Sequence, residues 1–295
     1  MLKNRDWGKA LLYAGIPFSP NKEEILTPCV LHSDTHPSLS INLKKGVWMC
    51  HAGCGSGRLD SLLSQYLDIT LLEANRLAYT DYIEDLKLDF GDDEIDKYLP
   101  LSPIIFPFTK NKVPKWIFDR GFDSETMMKW GFGYDENEGS LVIPINDENH
   151  NLVGWAKRRP EGLFPKYLYG PKDIFKKSRV VFGADEAKTS RDFICITEGA
   201  LDTVWLSQNG FNSVAILGVF LSKAQERIIS SFNTGEIVLC LDNDNAGQLG
   251  IESISPRLSK YFVVSKIRIP DKYKDVQDIR DQKVLRLVLE NRVFF

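Results

Sequence analysis

Glu198-Gly199 and Asp242-Asn243-Asp244 are carboxylates set at turn residues, each just past a short apolar run. Phe193-Ile194-Cys195-Ile196 precedes the first and Ile237-Val238-Leu239-Cys240-Leu241 the second. Such runs, bounded by turn signals, read as buried strands of a parallel sheet. Ligands of open α/β sheets bind outside the carboxyl ends of the strands, so one glutamate and two aspartates are expected at one edge. Carboxylates that close repel unless a cation lies between them, and hard oxygen donors with open positions suit magnesium or manganese. The chemistry implied is metal-dependent phosphoryl transfer. Asp202, four residues after Glu198 at the start of a helix, faces back toward the same edge; its blander reading is an N-terminal charge on the helix dipole. Asp242 and Asp244, two apart in an extended segment, point the same way, the alternative being an Asx turn that caps the next helix. Gly247 permits close approach of a ligand or a neighbouring element. After the last strand, Asp275 and Asp278 are placed to complete the cluster.

A softer ligand set lies near the N-terminus. Cys29 and His32 are three residues apart, and Cys50 and Cys54 follow after a hairpin. Four nitrogen and sulfur donors suit a closed tetrahedral zinc site, and a small β-rich module with little core gains stability from the metal. The Cys-x3-Cys spacing is one longer than the common knuckle, a bend that Gly53 and Gly55 accommodate. His51 and His36 compete as ligands, and the blander reading is buried cysteines without metal. The other two of the five cysteines, Cys195 and Cys240, fall inside the apolar runs and read as small core residues.

Between these sets lies a basic segment with Lys157, Arg158, Arg159, Lys166 and Lys177, interleaved with Trp155, Phe164, Tyr167, Tyr169 and Phe175. Cations with stacking rings suit a single-stranded nucleic-acid track or nucleotide phosphates. Arg158, Arg159 and Lys166 are the foremost candidates; a solvated face is the plainer reading of many of the lysines.

The elements that must position these residues follow from periodicity. A length of 295 residues predicts about two domains. Residues 37–42 alternate, Lys44-Lys45-Gly46 is a turn signal, and 47–49 resume a strand, giving a hairpin; Leu59, Leu62, Leu63 and Tyr66 recur at helical spacing. An acidic and proline-rich stretch reads as a tether. Residues 117–129 are expected as a helix, and 141–145 and 152–156 as paired strands. From 193 onward strands and helices alternate: helix 200–208, strand 213–217, helix 222–232, strand 236–241, helix 246–258, strand 261–267. That order makes a parallel sheet with crossover helices. No apolar stretch approaches the ~20 residues of a membrane span, and the N-terminus lacks the pattern of a secretory signal, so a cytoplasmic protein is expected. The net charge of −3 argues against a generally basic protein but not against a local basic groove.

The constellation resembles a bacterial or phage DNA primase of the DnaG type over most of the chain. Cys29-x2-His32, Thr35-His36-Pro37-Ser38 and Trp48-Met49-Cys50…Cys54-Gly55-Ser56-Gly57 are similar to that family's zinc ribbon. Arg120-Gly121 and Trp130-Gly131-Phe132-Gly133-Tyr134 resemble the start of its catalytic domain, and Ile143-Pro144-Ile145, Gly154-Trp155-Ala156 and Pro165-Lys166-Tyr167-Leu168 its basic N-terminal subdomain. Glu198-Gly199…Asp202 and Asp242-x-Asp244-x-Ala246-Gly247 resemble its Toprim signature. The resemblance implies an α/β chain. A zinc-ribbon domain is expected over 1–80, a linker over 81–112, a mixed α+β basic subdomain over 113–190, and a Toprim subdomain with a Rossmann-like parallel sheet over 191–295.

It further implies template-directed synthesis of short RNA primers on single-stranded DNA from ribonucleoside triphosphates. Glu198, Asp202, Asp242, Asp244 and Asp275 would form the divalent-metal site, with Glu198 either a ligand or a proton acceptor. Structural zinc would sit on Cys29, His32, Cys50 and Cys54. Lys157, Arg158, Arg159, Lys166 and Lys177 would hold template or triphosphate, and a replicative helicase is a candidate partner. Two departures stand out: Gln277 occupies the place of an aspartate frequent in the last acidic motif, and Asn243 that of a frequent glycine. The end at Phe295 leaves no room for a helicase-interaction domain, and no Gly-x4-Gly-Lys-Ser/Thr occurs; a phage or mobile-element primase, or a truncated chain, is the expectation, in a bacterial or phage-infected cytoplasm. The competing functions are a Toprim nuclease and a non-catalytic single-stranded DNA-binding module.

Overall fold

The structure is a computed structural model. It describes residues 5–19, 22–32, 34, 36–67, 69, 71–78, 103–110, 112–171, 174–187 and 192–295. Most of the expected linker, 81–102 and 111, lies outside the described residues. The rest divides into two compact units: the described residues of Met1–Lys97 with Arg159–Tyr167, and those of Tyr98–Arg158 with Leu168–Phe295.

The first unit is built on an antiparallel sheet in the order β1 (Glu24–Thr27), β2 (Leu39–Asn42), β3 (Val47–Cys50), β4 (Gly55–Arg58). The expected hairpin is β2–β3, in register Leu39↔Cys50; β1 and β4 flank it. Period-2 alternation turns Ile25, Leu39, Ile41 and Trp48 inward against Leu59, Leu62 and Leu63 of the Leu59–Leu67 helix, all buried. The Arg159–Tyr167 loop, expected within the basic subdomain, groups with this unit because Asp34 and Phe164 form an antiparallel bridge.

The second unit holds two sheets. The middle one is antiparallel through its centre, in the order β5 (Thr109–Lys110), β6 (Gly133–Asp135), β7 (Ser140–Asn146), β8 (Leu152–Arg158), β9 (Tyr167–Gly170). The expected pair is β7–β8, with Ile143 opposite Ala156. Thr109–Lys110, inside the stretch expected as linker, pairs with β6, and the Ile104 amide donates to the Leu152 carbonyl at 2.8 Å. The single helix expected over 117–129 is two, Trp116–Asp119 and Ser124–Lys129. Gly121 at φ +85° breaks it, and Asp123 caps the second piece by accepting from the Thr126 amide at 2.7 Å.

The other sheet runs β11 (Ser213–Ala215), β10 (Ile194–Thr197), β12 (Glu236–Leu239), β13 (Val263–Lys266), β14 (Val293–Phe294). Its first four strands are parallel, linked by the Ala200–Gln208, Lys223–Ser230 and Asn245–Leu258 helices. Ile194, Ile196, Val214, Ile237, Leu239 and Val264 form its buried face with Ile229, Ile251, Ile254 and Leu258. The antiparallel β14 is an addition to the expected order. Just before it, Arg292 grips Glu236 of β12 in two bonds of 2.6 and 2.8 Å, with Ser265 Oγ donating at 2.6 Å. Burial opposes the charge, but Arg292 and Ser265 hold the Glu236 carboxyl below its usual range. A depressed carboxyl contributes stability above its unfolded-state pKa, lost as pH falls through the folded value. Glu236→Gln is therefore expected to cost about 2 kcal/mol at neutral pH and to flatten the acid limb of stability, read by urea unfolding at neutral and acid pH. No helix among the described residues is long and apolar enough to cross a membrane.

Candidate functional site

Strands β10 and β12 are parallel neighbours with Ile196 opposite Leu239, so the chain leaves both at the same edge. There the Asp242 amide donates to Glu198 Oε1 at 3.1 Å. Burial pushes the Glu198 carboxyl well above its usual range; the Asp242 charge adds to this, its amide offsets part, and Asp244 and Asp202 add further. Asp202, Asp242 and Asp244 thus lie near enough for their charges to act on Glu198. No three of these four bring oxygens within 4.8 Å of one another, the mutual spacing that, among the described residues, marks the Cys29–His32–Cys50–Cys54 quartet and an exposed His150–Asp185–Glu186 group.

Asp244 caps the Asn245–Leu258 helix, Oδ1 accepting from the Gly247 amide at 2.9 Å, so the capping reading of it holds. Gly247 is required by its neighbour: a Cβ there would stand 2.0 Å from the Asp242 carbonyl oxygen. Gly247→Ala is expected to displace the Asp242–Asp244 turn, costing about 1–3 kcal/mol together with metal affinity, measured by thermal unfolding and Mn2+ titration. Asn243, in the place of a frequent glycine, ties this turn to the last acidic loop: its amide donates to the Lys274 carbonyl at 2.7 Å and Nδ2 to the Tyr273 carbonyl at 3.1 Å. On that loop Asp275 Oδ1 accepts from the Asp278 amide at 2.9 Å, and Asp278 Oδ2 from the Lys274 amide at 3.0 Å. Gln277 turns the other way, buried against Arg120. A half-buried glutamate amid aspartates at a strand edge fits a divalent cation: a positive charge there relieves the repulsion that raises Glu198.

The basic candidates are dispersed. Lys157 pairs with Asp135 at 2.5 Å and Glu138 at 3.6 Å. Arg158 is 7% exposed and Arg159 2%; Arg159 donates to the Phe164 carbonyl at 2.8 Å. Lys166 is exposed on its loop, and Lys177 lies over the Tyr169 ring, 5.5 Å from its centroid.

In the first unit, Cys29, His32, Cys50 and Cys54 bring one ligand atom each within 4.8 Å of all the others, so the donor set fits tetrahedral zinc. His51 Nε2 instead bonds Ser40 Oγ at 2.7 Å, and His36 stands outside the quartet. His32 points Nδ1 at Cys54 Sγ, 3.0 Å away, and Nε2 toward Asp34 Oδ1 at 3.8 Å. Sequence reasoning missed Asp34. Its carboxylate also accepts from the Cys29 amide at 2.8 Å and Ser38 Oγ at 2.6 Å, which places it as the outer partner that orients a metal-binding histidine. An aspartate two residues after His32 was the available signal. Burial pushes the Cys29 thiol up to about 12. At Cys50 burial is outweighed by the Cys54 and Ala52 amides and Ser38, which bring it down to about 7.

A family model described as Toprim-like matches residues 195–280. The DNA primase of Thermotoga maritima is 29% identical over 302 residues, covering 85% of this chain and 53% of that protein. The DNA primase of Aquifex aeolicus is 26% identical, covering 86% and 60%. The chain thus spans 53% and 60% of these relatives' lengths. Among solved structures, the Aquifex aeolicus primase with its zinc-binding and RNA polymerase domains aligns at TM-score 0.52 and 22% identity, over 97% of this chain and 83% of that one. A DnaG primase catalytic domain bound to single-stranded DNA aligns at TM-score 0.51 and 20% identity, over 61% and 71%. These two structures share the fold.

Proposed function

We propose that this chain, which belongs to the DnaG-type primase family with its zinc-binding and Toprim parts, copies single-stranded DNA into short RNA primers by metal-dependent nucleotidyl transfer. The observation that carries this reading is the Glu198 carboxylate, raised by burial and by Asp242, Asp244 and Asp202 at the edge of the parallel sheet, in a chain that also carries the Cys29–His32–Cys50–Cys54 quartet. Glu198, Asp242 and Asp244 would hold divalent metal, Mg2+ or Mn2+, at that edge, with Asp202 adding negative charge from the first helical turn and Asp275 from the last loop. When bound, one such ion would supply activation of the primer 3′-hydroxyl and a second would supply charge for the leaving pyrophosphate. Cys29, His32, Cys50 and Cys54 would hold zinc, which would fix the sheet of the first unit as a template reader.

Template and ribonucleoside triphosphates are held by the basic segment. Lys166 and Lys177 are the more accessible of the five, and Lys157, Arg158 and Arg159 serve chiefly by shaping the segment around them. The division at 1–80, 81–112, 113–190 and 191–295 belongs to this reading, with 103–110 joined to the basic subdomain. A replicative helicase is the partner this chemistry calls for.

The test is incubation with single-stranded DNA templates, labelled ribonucleotides and Mg2+ or Mn2+. Short labelled products are expected. Cut template instead would make the chain a Toprim nuclease, and retained template with neither outcome a binding module.

A further inference from the structure

Gln277 departs from the acidic motif, and the fold gives it other work. It is 1% exposed, with both ends of its amide on one residue: Nε2 donates to the Arg120 carbonyl at 2.9 Å, and Oε1 accepts from the Arg120 guanidinium. Only this orientation satisfies a carbonyl and a cation together, so neither a carboxylate nor a flipped amide reproduces it. A second glutamine grips Gly121 and Asp123 of the same turn. Gln208 Nε2 donates to the Gly121 carbonyl at 2.9 Å, and its Oε1 accepts from the Asp123 amide at 3.1 Å. Around them, Arg280 lies over Trp205 at 5.4 Å and Trp205 meets Phe122 edge-on at 5.7 Å.

The 120–123 turn belongs to the middle subdomain, whereas Gln208 and Gln277 belong to the parallel-sheet subdomain. From Gln277 the linkage runs on to the acids: it sits in the Val276–Asp278 turn that Asp275 caps, and Lys274 of the same loop accepts from the Asn243 amide between Asp242 and Asp244.

We propose that Gln277 is a positioning residue. Paired with Arg120, it clamps the loop bearing Asp275 to the middle subdomain and so sets the spacing of the Asp242, Asp244 and Asp275 carboxylates for the divalent ion. This rests on the metal-site reading of that edge. It also explains how an amide can replace an acid: the motif has exchanged a charge at the metal for a strut to the neighbouring subdomain.

The experiment is Mn2+ binding by calorimetry on zinc-loaded protein without nucleotides, for wild type, Gln277→Ala, Arg120→Ala and the double variant, with amide exchange across 274–278. Gln277→Ala is expected to weaken Mn2+ binding roughly tenfold, the lower end for outer partners of a metal site, and to speed exchange of the loop. Arg120→Ala separates the clamp from simple electrostatics. Removing a nearby cation would tighten Mn2+ binding by charge alone, whereas losing the strut weakens it, and the double variant should then be no worse than either single one. Tighter binding in Arg120→Ala, additive losses, or wild-type affinity in Gln277→Ala would each overturn the proposal. If Gln277→Ala unfolds, Gln277→Met fills the same volume without the hydrogen bonds and is judged by the same outcomes. Absence of Mn2+ binding in the wild type would defeat the metal-site reading itself, a result distinct from failure of the clamp.

Discussion

Glu198→Gln is expected to reduce primer synthesis by at least about 100-fold while making the protein, free of divalent ion, more stable at neutral pH. The two effects have one cause. Glu198 is half-buried beside Asp242, Asp244 and Asp202, and its carboxyl is raised well above the usual range. For a raised carboxyl, the folded state holds a proton that the unfolded state releases. Stability therefore falls as pH climbs from the unfolded-state pKa, about 4.3 for glutamate, through the higher folded value, and the full penalty applies above it. Glutamine keeps the shape and the acceptor for the Asp242 amide but carries no charge, so the variant should show no such decline. Adding Mn2+ should raise the melting temperature of the wild type at neutral pH and leave Glu198→Gln nearly unmoved. Thermal unfolding from acid to neutral pH, with and without Mn2+, reads the stability arm, and primer yield on single-stranded template reads the activity arm. Equal primer yields from wild type and variant would falsify the assignment of this edge as the active site. Equal pH profiles would show that the repulsion around Glu198 does not reach stability.

What the sequence disclosed and what it hid divide along sequence separation. The parallel strands, their crossover helices and the placing of Glu198 and Asp242 on one edge follow from local apolar runs and from the strand-end rule for α/β sheets. The zinc quartet was equally open, because ligand type and spacing announce it and only the alternatives His36 and His51 needed geometry to set aside. Hidden were the partners far along the chain. Lys157 reads as a nucleic-acid contact until Asp135, 22 residues away, is seen at 2.5 Å. Arg120 and Gln277 are separated by 157 positions, and Glu236 and Arg292 by 56. Periodicity reports which face of an element is buried, but it does not say which distant polar group meets a buried one, so Arg159 reads as a template or triphosphate contact although its side chain is buried. The split of the 117–129 helix was closer to legible, since Gly121 and Asp123 are a breaker and a cap in their own right.

Cys50→Ser is expected to abolish zinc binding and with it the fold of the first unit, leaving the parallel sheet intact. The first unit's core is small, its sheet strands four residues each, and its four ligands come from the loops before β2 and around the β3–β4 turn. Structural zinc contributes on the order of 10–16 kcal/mol of apparent binding energy in small modules, more than such a core supplies alone. Cys50, brought down to about 7, ionises more readily at neutral pH than Cys29, which, pushed up to about 12, keeps its proton until a cation displaces it. Metal uptake should therefore release protons and tighten as pH rises, since only thiolate sulfur ligates. Serine at 50 keeps the size of the side chain but offers no thiolate. Elemental analysis should find zinc in wild type and none in the variant. Amide protection should vanish across Leu39–Asn42 and Val47–Cys50 and persist in Ile194–Thr197 and Glu236–Leu239. Undiminished protection of the first unit in zinc-free protein would mean that its core, and not the metal, holds it together.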